Sequence, residues 1–206
     1  MSDNRVGTQI VGRLDQTYAN EAVAALKSKG IVFSDGLELS ELKAVEDVVG
    51  AKVPPELRLF WQSALPTGDD FPRWREDPEG EAQEFHKWIG RAVRFDVEQN
   101  QYWHVSWGLR PSAGAEAVEL ALREIAKAPP MIRVYSHRHM TTEPVGWGNP
   151  VLSVWQMIDS IYYGYDLADY FAREFKVAKP GCSRSRPPRV PFWGDLFDLL
   201  SEKPIK

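Results

Sequence analysis

Three prolines frame the strongest pattern in the chain. Pro54-Pro55 opens a segment whose apolar residues are Leu57, Phe60, Trp61, Ala64 and Leu65, and Pro66 closes it. Counted from Leu57 they fall at +3, +4, +7 and +8, a single stripe on an α-helix. Proline is tolerated in the first turn of a helix and disrupts its interior, so the boundaries agree with the stripe. Such a stripe must be buried against another layer, which the rest of the chain has to provide.

The same reading finds further helices. Residues 15–29 carry Ala22, Val23 and Leu26 on one side, with Gly30 at the ending position. Leu39 to Val49 places Leu42, Val45, Val48 and Val49 on one face before Gly50. A short helix is expected over Glu81 to Ile89, one over Ala115 to Lys127, and a final core helix over Asp166 to Phe175. Ala92 to Glu98 alternates and reads as a strand, turned by Gln99-Asn100-Gln101 into a second at Tyr102 to Ser106. Met131 to Tyr135, Val151 to Met157 and Ser160 to Tyr163 read as further strands. Helices come first and strands later, without regular βαβ alternation. The expected fold class is therefore α+β, a central largely antiparallel sheet packed with helices, in a single domain over residues 1–206. Residues 176–206 form a basic, Pro-rich tail that ends in a docked aromatic segment around Phe192-Trp193.

Composition excludes several function classes. Cys182 is the only cysteine, so no intramolecular disulfide is available. Met1 is followed by Ser2-Asp3-Asn4-Arg5 with no long apolar stretch, which predicts neither a signal peptide nor membrane insertion and a cytoplasmic location. A net charge of −4 argues against nucleic-acid binding by the whole surface. The charge is uneven: Pro66–Gly90 holds seven acids against three bases, and Arg173–Pro191 holds six bases against Glu174. Either region can steer a partner or be plain solvated surface.

Catalysis needs convergent groups, and few are offered. His137-Arg138-His139 begins a metal-like spacing, with only His86, His104 and scattered acids to complete it. Cys182 sits among arginines that lower a thiol pKa, in a Pro/Ser/Arg stretch that frames no base. No GxSxG, phosphate loop, GxGxxG or HExxH occurs. The reading is no catalytic residue, no metal and no cofactor.

The order of several residue blocks resembles the SUKH superfamily, which includes a yeast regulator of cell-wall glucan synthesis, the SecY-associated protein Syd and many bacterial immunity proteins. The first block is Gly36-Leu37, the helix Leu39–Val49, and Val53-Pro54-Pro55-Glu56-Leu57-Arg58-Leu59-Phe60. The second is Pro150-Val151-Leu152-Ser153-Val154-Trp155-Gln156 followed by Asp159-Ser160-Ile161-Tyr162-Tyr163-Gly164 and Asp166-Leu167, Tyr170-Phe171. Phe95-Asp96-Val97-Glu98, Trp103-His104, Trp107-Gly108, Arg110-Pro111, Tyr135, His137-Arg138 and Pro191-Phe192-Trp193 look like blocks of one bacterial subgroup. The similarity covers about residues 32–193, with a core over 32–175 and an extra helix over 15–29 before it. No Thr or Ser cap follows Gly36-Leu37, unlike the family pattern.

The resemblance implies a non-enzymatic protein-binding module, of the kind that neutralises a cognate toxin, often a nuclease, by direct binding. Leu57, Phe60, Trp61, Leu167 and Phe171 are expected in the core. Asp69, Asp70, Trp74, Glu76, Asp77 and Glu79 are expected on an exposed acidic surface that meets the partner. The alternatives are a small enzyme or metal- or ligand-binding domain using His137 and His139 in a Trp-lined pocket, and a regulatory scaffold of the cell-wall-assembly type.

Overall fold

A computed structural model describes residues 15–180 and 183–197. It is a mixed α+β fold. Helix α1 (Gln16–Lys27) leads to strand β1 (Val32–Ser34), α2 (Leu39–Val49), α3 (Pro55–Ser63) and β2 (Leu65–Thr67). The long helix α4 (Pro78–Gln99), a 3-10 turn at Val105–Trp107 and α5 (Gly114–Ile125) follow. Strands β3 (Met131–Tyr135), β4 (Arg138–Thr141), β5 (Val151–Val154) and β6 (Ser160–Gly164) then form an antiparallel sheet in chain order, closed by α6 (Leu167–Phe175) and the short α7 (Trp193–Leu196). β1 and β2 make a separate antiparallel pair.

The sheet is covered on both faces. Ile132, Val134, Met140 and Val151 join an apolar cluster with Leu26, Leu42, Leu57, Phe60, Trp61 and Phe171. Met131, Leu152, Val154 and Tyr162 join a second cluster with residues of α4, α5 and α7. The two-residue alternation along β3 and β5 sends successive side chains to opposite clusters, as the pleat requires. Trp193 of α7 is buried and its indole N–H donates to Pro129 O at 2.7 Å. The aromatic segment thereby closes one side of the second cluster.

Local chemistry explains the element ends. Asp15 caps α1 by accepting from Thr17 N at 2.9 Å. α2 starts without Thr or Ser, because the Glu41 side chain reaches back to Glu38 N at 2.7 Å and satisfies a donor left unpaired at a helix start. Gly36 lies so close to α3 that a Cβ placed there sits 1.9 Å from Gln62 O, and Leu37 N donates to Trp61 O at 2.8 Å. Only glycine permits that approach. Gly164 meets the backbone of Tyr170 in the same way, at 2.6 Å.

Two expectations are overturned. Residues 92–98 are not a strand and 102–106 are not its partner: the first lies in α4 and the second is a loop running into the 3-10 turn. The buried set along this stretch is Phe85, Ile89, Ala92, Val93, Asp96 and Val97, the three-and-four spacing of a helix. The apparent alternation arose from Phe95, which is 46% exposed. Second, β5 ends at Val154 instead of Met157, because Asp96 accepts from Met157 N at 2.6 Å and from Ile158 N at 3.3 Å and draws that turn onto α4.

Candidate functional site

The acidic loop between β2 and α4 is anchored by a residue expected on its surface. Trp74 is 2% exposed, so the expectation that it meets a partner is corrected. Its ring packs against Trp61 at 6.1 Å and its indole N–H donates to Arg133 O at 3.0 Å, on the edge strand β3. A large ring with one donor is best buried where an acceptor waits, and an open sheet edge supplies one. Ser136 N donates to Asp70 O at 2.7 Å, tying the loop to the sheet at a second point.

The remaining acids separate into two groups. Asp77 caps α4, accepting from Gly80 N at 3.0 Å, and lies 3.6 Å from Arg73. Glu79 is in the first turn of the same helix, where the dipole favours a negative charge. Glu76 is exposed and borders a groove of about 530 Å3 that also includes Asp69, Arg73, Glu81 and Arg133. Asp69 and Asp70 are exposed, and neither has an ion-pair partner among the described residues. Tyr135 OH donates to Asp70 Oδ2 at 3.3 Å, and burial together with that carboxylate pushes the phenol above its ordinary pKa.

Asp69 and Asp70 line a cavity of about 240 Å3 together with Glu84, Trp88, Arg133, His137 and Trp155. Trp88 on α4 donates its indole N–H to Val154 O at 3.0 Å. Trp155, immediately after β5, meets Trp88 edge to face at 5.3 Å and His137 at 5.3 Å, and remains 51% exposed. The cations nearby are already engaged. Arg133 donates to Glu81 Oε2 at 2.9 Å, and Arg91 pairs with Glu84 at 3.0 Å while lying 5.8 Å from the Trp88 ring.

His137 and His139 both line this cavity, as the two-residue spacing on a strand suggests. Both are weakened as bases. His139 is buried, its ring lies 4.8 Å from Phe85, and desolvation pushes it down to about 3. Burial and the neighbouring Arg138 guanidinium lower His137 as well. Both imidazoles are neutral at neutral pH. Among the described residues neither histidine hydrogen-bonds a carboxylate, and no three His, Cys, Asp or Glu side chains are grouped to hold a metal. Cys182 lies outside the described residues.

No protein-family model matches the chain, and no curated protein or solved structure matches it. No helix among the described residues is long and apolar enough to cross a membrane.

Sequence reasoning missed Glu84, Trp88 and Trp155. Glu84 and Trp88 are four apart within the helix expected over Glu81–Ile89, so helical spacing places them on one face. Trp155 was hidden inside an over-long strand. The basic stretch also changes character. Lys179 pairs with Asp169 and Arg184 donates to Trp147 O, which ties the segment to the body, while Arg173 pairs with Asp169 within its helix and Arg189 with Asp195 within the segment.

Proposed function

We propose that this chain is a non-enzymatic protein-binding module whose partner presents a basic face, in the manner of an immunity protein and its toxin. One observation carries the reading: a half-exposed tryptophan, Trp155, packed edge to face on Trp88 beside Asp69 and Asp70, two carboxylates without an ion-pair partner among the described residues. Interface hot spots favour tryptophan in a packed setting, and unpaired surface charge raises association rate and selects partners of opposite sign. The loop is pinned to the sheet through Trp74 and Ser136, so little ordering cost falls on binding. The residue blocks that resemble the SUKH superfamily point the same way.

The test is co-expression with the protein encoded beside this one. A stable complex and relief of its toxicity are the expected results; free partner and unrelieved toxicity reject the reading. The alternative is a ligand- or metal-dependent activity at His137 and His139, which share one cavity with three carboxylates, although among the described residues these are not grouped to hold a metal. Metal analysis of protein purified without a histidine tag separates it: stoichiometric metal supports that activity and contradicts the binding module. A regulatory scaffold predicts many unrelated partners in place of one.

A further inference from the structure

We infer that the cavity between the acidic loop and the Trp88–Trp155 pair is a receptor for one arginine side chain of the partner. The inference rests on the protein-binding reading and names the group that the site grips. Drug-sized ligands occupy pockets of roughly 300–1,000 Å3. This cavity is about 240 Å3, the scale of a single side chain. Its lining combines two indoles, Trp88 and Trp155, with the carboxylates of Asp69, Asp70 and Glu84. A guanidinium suits both kinds of group, stacking on a ring while donating in its plane.

Charge decides the sign of the ligand. Arg133, which lines the cavity, is held by Glu81; Arg138, which touches His137, is held by Glu174; and Arg91 is held by Glu84, so these cations are matched within the chain. Asp69 and Asp70 are the carboxylates left over. Asp159, exposed on the same turn as Trp155, acts electrostatically on His137 and adds negative charge nearby. His137 and His139 add no positive charge at neutral pH. Arg91 already sets a guanidinium 5.8 Å from the Trp88 ring, so a guanidinium against this indole is an arrangement the molecule itself uses. The receptor is also preformed. Trp88 is tied to Val154 O, and Asp96 holds the turn that follows Trp155 through Met157 N. The loop bearing the two aspartates is tied to β3 through Trp74 and to Ser136 through Asp70 O.

The experiment is a titration of the 15N-labelled full chain with acetyl-Gly-Arg-Gly-amide, following the indole N–H resonances of Trp88 and Trp155. A saturable shift of both is expected. The citrulline counterpart, which keeps the shape and lacks the charge, should bind at least about tenfold more weakly, and the lysine peptide should be intermediate. D69N/D70N, nearly isosteric and exposed, should weaken the arginine peptide by about tenfold while leaving the thermal midpoint unchanged. W155A should also weaken it. No saturable shift, equal binding of citrulline, or indifference to D69N/D70N overturns the receptor. Equal binding of lysine overturns the guanidinium assignment. If a partner complex forms but ignores these variants, the receptor falls while the protein-binding reading stands. If the peptide binds as described and no neighbour-encoded partner does, the reverse holds.

Discussion

Glu56 follows the two prolines that open α3, and its carboxylate is buried among backbone donors from a distant loop. Oε1 accepts from Gly148 N at 2.9 Å and Asn149 N at 3.0 Å, while Oε2 has no partner. Desolvation outweighs those bonds and pushes the group up to about 7. The folded state therefore keeps a proton that the unfolded chain releases near 4.5. Stability from this group is greatest below pH 4.5 and declines as pH rises to 7. Glu56→Gln keeps an acceptor and removes that decline, so the variant should gain on the native chain between pH 5 and 8, by up to about 3 kcal/mol in urea unfolding. His139 acts in the opposite sense. Its folded value of about 3 lies below the ordinary 6.5, so the neutral ring contributes fully above pH 6.5 and its contribution is lost as pH falls towards 3. His139→Phe should flatten the acid limb of the same urea series. Between pH 4.5 and 6.5 the two groups oppose each other, so each slope emerges only with the other group replaced.

At the level of elements, α4 tests how a pattern is assigned its period. On a strand, Val93, Phe95 and Val97 share a face; on a helix, Val93 and Val97 lie one turn apart and Phe95 points elsewhere. The observed burial follows the helix, with Val93 and Val97 fully covered and Phe95 half-exposed. Val97→Ala should cost roughly 2 kcal/mol as a core truncation, whereas Phe95→Ser should cost less than about 1 kcal/mol. Equal costs in chemical denaturation contradict the helical assignment. The misreading has a physical origin. Three apolar residues at every second position fit either structure locally, and only continuity with Phe85 and Ile89 selects the helix. Elsewhere local signals sufficed: α2 and β3 coincide with their expected ranges, and α6 begins one residue later because Asp166 is its cap.

Across the whole molecule, the sheet lies between two apolar clusters, so its own faces are covered and its edges and connecting loops stay at the surface. The acidic loop covers the β3 edge and so converts an open row of carbonyls into a rigid, charged border. Asp69→Lys with Asp70→Lys should leave stability within about 0.5 kcal/mol, because both side chains are exposed. The same change should slow association with a basic partner by about tenfold or more at low salt, and by less at high salt. Surface plasmon resonance across ionic strengths reads both effects. An unchanged association rate removes this surface from the interface.

Periodicity and punctuation in the chain were enough to define the fold class, most helices, and the anchoring of Leu57, Phe60, Trp61, Leu167 and Phe171, all of which are buried. These properties depend on neighbours within a turn or two, which sequence spacing records directly. The acidic character of residues 66–90 was equally visible. Which of those acids stands free was not: Asp77 caps a helix, Glu81 is bound by Arg133 from β3 and Glu84 by Arg91, and Asp69 and Asp70 are the cavity's carboxylates left without an ion pair among the described residues. Trp74, expected at the surface, is buried, and Trp155, given no role beyond its strand, is half-exposed. Burial of a ring is set by what arrives from elsewhere in the chain, here Trp61 and β3 for one and Trp88 and His137 for the other. The candidate site is thus a product of long-range packing, because its walls come from a loop, a helix and a strand end separated by tens of residues.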